Sequence, residues 1–184
     1  MIPLGRNWVN KPLPTREQAI ELLRKNNCSP QVIGHCQAVA EISLEIANQI
    51  EKKGLKLDLK LIEAGALLHD IGRSKTNAVD HGVVGAQIAQ SEGLPEELIR
   101  IIKTHVGGGF TAEEAAGFGW PQDEYTPLNL GEKIVSYADK LVDNSKRGRV
   151  SIEVEIKRLR AAGHKDAANR VRKLHEEITA MLGN

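Results

Sequence analysis

Leu67-Leu68-His69-Asp70-Ile71-Gly72-Arg73 joins an apolar run to two adjacent side chains of metal-ligand type and then to a glycine. Behind it, Leu61, Ile62, Ala64 and Gly65 continue the apolar pattern at helical spacing, and Asp58 stands where an N-cap belongs. The pattern predicts a helix that starts after Asp58 and presents His69 and Asp70 at its C-terminal end, with Gly72 as the breaker. Adjacent residues on a helix point about 100° apart. The pair therefore converges on one point only if that helix end itself faces the site.

Helical signals continue outward in both directions. Upstream, Thr15 followed by Gln18 is a capping box, and Ser29-Pro30 is an N-cap with proline at the first helical position. The latter launches a long helix to about Lys53, with Val32, Ile33, Cys36, Val39, Ile42, Ile46 and Ile50 on one stripe and His35 about one turn in. Downstream, residues 78–91 read as a helix carrying His81 in its first turn. Pro95 opens another through Leu98, Ile99, Ile101 and Ile102 to His105, where Gly107-Gly108-Gly109 stops it. A helix from about Leu130 carries Ile134, Val135, Ala138, Leu141 and Val142, with Asp139 beside them, and two more are expected near 151–162 and 164–182. Residues 106–127 hold Phe110, Phe118, Trp120, Tyr125 and two prolines. We read this irregular stretch as a lid beside His105, with Thr111-Ala112-Glu113-Glu114 as a helical turn; the alternative is a surface loop whose aromatics pack on the core. No segment reads as a strand. The expected fold is all-α, a bundle of about seven to eight helices around a buried metal site.

His35, His69, His81 and His105, with Asp70 and Asp139, form a dispersed donor set, and imidazole with carboxylate is what one or two first-row divalent metals require. Burying Asp70 or Asp139 among apolar neighbours is costly without a compensating charge, which a metal supplies. The order of these residues resembles the HD superfamily of metal-dependent phosphohydrolases in its HDIG form: an early His, a His-Asp pair and a late Asp. His35, His69, Asp70 and Asp139 match in that order, and Ser136-Tyr137-Ala138-Asp139-Lys140-Leu141-Val142 looks like the closing motif. The resemblance covers about residues 29–145, and His81 and His105 are similar to the two extra histidines of the binuclear members.

The resemblance implies that His35, His69, Asp70 and Asp139 hold a first metal and that Asp70, His81 and His105 hold a second, with Asp70 as the bridge. Iron, manganese, nickel or zinc is expected over magnesium because imidazoles dominate the set. The implied reaction is hydrolysis of a phosphomonoester or phosphodiester, in a nucleotide or related compound, by a metal-bridging hydroxide. Asp70 then counts as catalytic, and Arg73, Lys75 and Lys140 are placed to neutralise phosphate oxygens. Ligand order and length are similar to small HD proteins that cleave diadenosine tetraphosphate symmetrically. Val106-Gly107-Gly108-Gly109-Phe110 departs from the HHE and GYP signature of the cyclic-di-GMP branch. Two alternatives stand beside this reading: a mixed-valent di-iron oxygenase with the same six ligands, and a non-catalytic metal-binding regulatory module.

Composition sets the remaining expectations. With 184 residues and 41% hydrophobic content, the chain buries one sizeable core. The expected organisation is an irregular arm over 1–14, an HD phosphohydrolase domain over 15–145, and a basic helical extension over 146–184 packed on the same domain. Two cysteines, Cys28 and Cys36, imply no disulfide framework and a reducing, cytoplasmic home. No run reaches the roughly 18 apolar residues of a membrane span, and the N-terminal residues lack a signal peptide's apolar stretch. The net charge of +1 is unevenly spread: residues 1–145 carry 15 Lys/Arg against 19 Asp/Glu, and residues 146–184 carry 10 against 5. The basic residues of 146–173 read as a solvated face, with nucleic acid as the alternative partner of that surface. His164 and His175 fall in this tail and read as surface residues.

Overall fold

In the computed structural model of the protein, which describes residues 12–143 and 148–183, the caps fall where local chemistry places them. Thr15 and Gln18 close a capping box on α1 (Arg16–Lys25), Ser29 accepts from the Val32 amide to open α2 (Pro30–Glu51), and Asp58 accepts from the Leu61 amide to open α3 (Leu59–Leu68). A 3₁₀ turn at Ile71–Ser74 leads to α4 (His81–Ser91) and α5 (Glu96–Thr104). A second 3₁₀ turn at Val106–Gly108 precedes the short α6 (Ala112–Gly117). Then come α7 (Leu130–Lys140), α8 (Ile152–Ala161) and α9 (Lys165–Leu182). The fold is all-α, and the described residues form nine helices; the ninth is the six-residue α6, expected from sequence only as a turn.

The stripe on α2 buries Cys36, Val39, Ile42, Ile46 and Ile50 against α3 and α7. Each fully buried Ile or Val contributes on the order of 1.5–3 kcal/mol relative to exposure. Small residues let the central helices approach. A Cβ on Gly65 would meet the Ile101 side chain at 2.7 Å, and one on Gly85 would meet Ile102 at 2.8 Å. That closeness draws α3, α4 and α5 together, and with them His69, His81 and His105. Buried Glu132 ties α5 to α7 by accepting from Arg100 Nε at 2.9 Å and Nη2 at 3.1 Å. The last helix packs on α7, α2 and the Val106–Gly108 turn, and Ala168, Val171, Leu174 and Ile178 join the common core.

Three sequence expectations change in detail. The 106–127 stretch is built rather than structureless: Thr111 and Glu114 make a second capping box, and the Phe110 amide donates to the Tyr125 carbonyl at 3.2 Å. Its aromatics pack on one another, with Phe110–Trp120, Phe118–Trp120 and Trp120–Tyr125 centroids 5.1, 4.9 and 5.2 Å apart. His175 is not a free surface residue. It is half-buried, with its ring stacked on Tyr137 and its Nδ1 2.8 Å from the Tyr137 hydroxyl. In the basic tail, Arg149 pairs with Glu45, Arg158 with Glu155 and Arg170 with Glu114, whereas Lys157, Arg160, Arg172 and Lys173 are exposed. Most of the expected N-terminal arm (residues 1–11), together with Lys146 and Arg147, lies outside the described residues. No helix among the described residues is long and apolar enough to cross a membrane.

Candidate metal centre

The three buried histidines at helix ends share one local device. His69 Nδ1 donates to the Ala66 carbonyl, His81 Nδ1 to Ala78 and His105 Nδ1 to Ile102, each at 2.7 Å and each from the third residue upstream. A carbonyl oxygen only accepts, so the ring proton is fixed at Nδ1 and Nε2 is turned inward. His69 and His105 are the last residues of their helical spirals, which is why the upstream carbonyl lies within reach. Ser136 donates to the His105 carbonyl at 2.9 Å and steadies that turn from α7. His35, on α2, has its Nδ1 unpartnered among the described residues and its Nε2 directed at the same space.

The chain solves the 100° problem of the His-Asp pair by leaving the α-helix between them. His69 keeps helical angles, whereas Asp70 sits at φ −99°, ψ 17° and starts the 3₁₀ turn. Its carboxylate is thereby split between two groups of donors. Oδ2 lies 3.8 Å from both His35 Nε2 and His69 Nε2, and Oδ1 lies 3.3 Å from His81 Nε2 and 3.5 Å from His105 Nε2. Asp139 Oδ1 is 2.9 Å from His35 Nε2 and 3.5 Å from His69 Nε2. All six sequence-singled donors thus meet in one place. Three overlapping groups have donor atoms within 4.8 Å of one another: His35, His69 and Asp70; His69, His105 and Asp139; Asp70, His81 and His105.

The donor set fits a divalent metal on its own chemistry. His81 Nε2 and His105 Nε2 are 3.1 Å apart with both ring protons committed elsewhere, and Asp70 Oδ1 faces the same point. Three converging lone pairs repel unless positive charge lies near them; Arg73 Nη2, 3.4 Å from His81 Nε2, offers some at the edge, and a cation among the three donors would offset the rest. Burial, reinforced by the neighbouring imidazole, pushes His81 down to about 3 and also lowers His105, so both are neutral donors at physiological pH. Burial opposes ionisation of Asp70 and Asp139, yet both stay well below the usual carboxylate range: His69 and His105 hold Asp70 down, and Lys140, His35 and His69 hold Asp139 down. Burial also opposes charge on His69, but Cys36, Asp70 and Asp139 more than reverse this. The centre therefore demands positive charge, which a proton or a metal ion satisfies.

Arg73 and Lys140 flank the centre on opposite carboxylates. Arg73 Nε donates to Asp70 Oδ2 at 3.0 Å and its Nη1 to the Asn77 carbonyl at 3.3 Å; Lys140 Nζ donates to Asp139 Oδ2 at 2.5 Å. Lys75, the third cation expected near the pair, is exposed and makes no side-chain hydrogen bond or ion pair among the described residues. A cavity of about 390 Å³ reaches His35 and Asp70 between Ser29, Gln31, Arg73 and Asn77. Sequence reasoning missed Cys36, which lies against His69, and the backbone carbonyls that lock the rings. For His69 and His105 the carbonyls leave one sequence signal, a histidine at the C-terminal end of a helix; His81, which opens α4, shows none.

This arrangement of an early His, a His-Asp pair at a helix end and a late Asp defines an HD domain. The HD-domain family model matches residues 32–143, and the chain belongs to that family, an HD-type metal-dependent phosphohydrolase. It is 41% identical over 166 residues to an uncharacterized protein of Methanocaldococcus jannaschii, covering 90% of this chain and 98% of that one. It is also 34% identical over 183 residues to the tRNA (cytidine(56)-2'-O)-methyltransferase of Picrophilus torridus, covering 100% of this chain but 52% of that enzyme, about half its length. Among solved structures, the HD domain of the L. monocytogenes phosphodiesterase PgpH in complex with cyclic-di-AMP superposes with a TM-score of 0.55. It is 15% identical, covering 90% of this chain and 95% of that one, which speaks to the fold alone.

Proposed function

We propose that the protein hydrolyses a nucleotide phosphoester at a two-metal centre, with residues 15–145 as the catalytic unit and 146–184 as an extension packed on it. The observation that carries this reading is the division of Asp70, one oxygen toward His35 and His69 and the other toward His81 and His105. His35, His69, Asp70 and Asp139 would hold one metal, and Asp70, His81 and His105 the other. Metals bound there supply Lewis acidity, which lowers the pKa of water and draws charge from phosphate oxygens. The Nδ1–H bonds of His69, His81 and His105 keep the rings in the ligating tautomer and orientation. Arg73 and Lys140 border the centre from two sides, donating to Asp70 and Asp139, and would neutralise phosphate oxygens bound beside those carboxylates. A nucleotide substrate is supported by the cyclic-di-AMP bound in the PgpH HD-domain complex.

Protein purified without chelator is expected to carry two first-row transition metals per chain, read by elemental analysis. Chelation should lower Tm by roughly 5–10 °C, since a ligand at a hundredfold excess over Kd contributes about 2.7 kcal/mol and a domain of this size shifts about 2–4 °C per kcal/mol. No metal, and no gain on reconstitution, would overturn the centre; one metal per chain would remove the roles of His81 and His105 alone. The reaction itself is tested by a panel of nucleotides, dinucleoside polyphosphates and cyclic nucleotides. Turnover of no phosphoester, together with oxygen uptake on an organophosphonate or polyol and a mixed-valent spin-resonance signal, would replace the hydrolase by the oxygenase.

Arg73→Ala and Lys140→Ala should each lower kcat/KM by roughly 10- to 1,000-fold, the loss of a charge-assisted contact of about 1.5–4 kcal/mol, with both metals retained. Unchanged kinetics in steady-state assays would reduce both side chains to partners of Asp70 and Asp139.

A further inference from the structure

A second cleft, of about 450 Å³, lies between the Val106–Phe118 segment and the corner joining α8 to α9. Its size falls within the roughly 300–1,000 Å³ of ligand pockets. It differs in chemistry from the cavity that contains His35, Asp70 and Arg73. Val79 and Phe118, two of the five large hydrophobic side chains left exposed among the described residues, both line it, at 38% and 51% exposure. Phe110 and Leu159 extend the apolar lining. At one side Lys140 lines the cleft while its Nζ holds Asp139, and Val106 follows His105 directly, so the cleft borders the metal centre. His164 and Lys165, both exposed, line it as well.

The rings in the cleft are held in place. Phe118 leans on Trp120 at 4.9 Å and 32°, Phe110 meets Phe118 edge-on at 5.8 Å, and the Arg170 guanidinium, paired with Glu114, sits 5.8 Å from the Phe110 centroid. A fixed, half-exposed aromatic ring beside charged walls suits a planar, polar-edged group better than an aliphatic chain, which would lie against Lys140 and the Arg170–Glu114 pair. The faces of a nucleobase match Phe118, and its edges match Glu155 and the cations.

We infer that this cleft seats the base of a nucleoside whose phosphate lies at the metal centre, with Phe118 as the stacking residue. The inference rests on the phosphohydrolase reading and adds the element that selects the substrate's leaving or retained nucleoside. Calorimetric titration of the metal-loaded protein with adenosine 5′-monophosphate and with ribose 5-phosphate separates the two. The nucleotide is expected to bind roughly 5- to 100-fold more tightly, the contribution of one stacked base. Phe118→Ala should collapse that ratio toward one, and Phe118→Trp should preserve it. A ratio near one in the wild type, or a ratio unchanged in Phe118→Ala, would overturn the cleft assignment alone. Failure of both ligands to bind, with no phosphoester turned over, would take the phosphohydrolase reading down and this assignment with it.

Discussion

Asp70→Ala is expected to release both metals and to lower kcat/KM on any phosphoester by at least about 1,000-fold, a loss of roughly 4 kcal/mol of transition-state stabilisation. Asp70 offers one oxygen to each half: Oδ2 approaches His35 and His69, and Oδ1 approaches His81 and His105. The same substitution strands Arg73, whose Nε loses its carboxylate partner. His105→Ala should behave differently, weakening the second metal while leaving the first in place, because His35, His69 and Asp139 keep their mutual contacts. Elemental analysis beside single-substrate kinetics distinguishes the two variants. Equal metal content in wild type and Asp70→Ala would rule out the bridging role.

Gly72→Ala is expected to destabilise the fold by about 3 kcal/mol or more and to lower Tm by roughly 6–12 °C. A Cβ at Gly72 would stand 2.0 Å from the His81 carbonyl oxygen and 2.7 Å from the Gly85 amide nitrogen. Both are backbone atoms, so no rotamer change relieves the clash; the 3₁₀ turn and α4 must move apart. That movement carries His81 away from Asp70, and occupancy of the second metal should fall along with stability. Gly117→Ala is the control, since nothing lies within 4 Å of a Cβ there. Thermal unfolding of the two variants decides the matter, and equal Tm values would show that the turn yields more easily than its packing implies.

The parts of this protein that were legible in its sequence are those governed by neighbours along the chain. Thr15, Ser29 and Asp58 cap the helices they were expected to cap because an N-cap needs only an amide three residues on. The six donors were found by their order and residue types, and the folded chain gathers all of them. What escaped depends on atoms without residue identity or on encounters between distant segments. The carbonyls of Ala66, Ala78 and Ile102 lock three rings, yet any residue offers a carbonyl. Tyr137 meets His175 across 38 positions, a contact that no local pattern around His175 announces. The aromatics of the stretch after His105 are fixed by one another through ring contacts, and such encounters leave no periodic mark in the sequence.

The 2.9 Å approach of His35 to Asp139 joins residues 104 positions apart in the chain. Closing so large a loop is entropically expensive, and such contacts form after the local helices that carry them. During synthesis, the helix bearing His35 emerges long before the one bearing Asp139, so the early donors wait without their last member. Full metal affinity would therefore require that α7 has been made and has docked. A chain cut before residue 139 would lack one donor of the set and is expected to hold a metal less tightly than the intact chain. Slow metal loss from the intact protein against quick loss from chains ending before α7 would show that completion of the donor set depends on the docked helix.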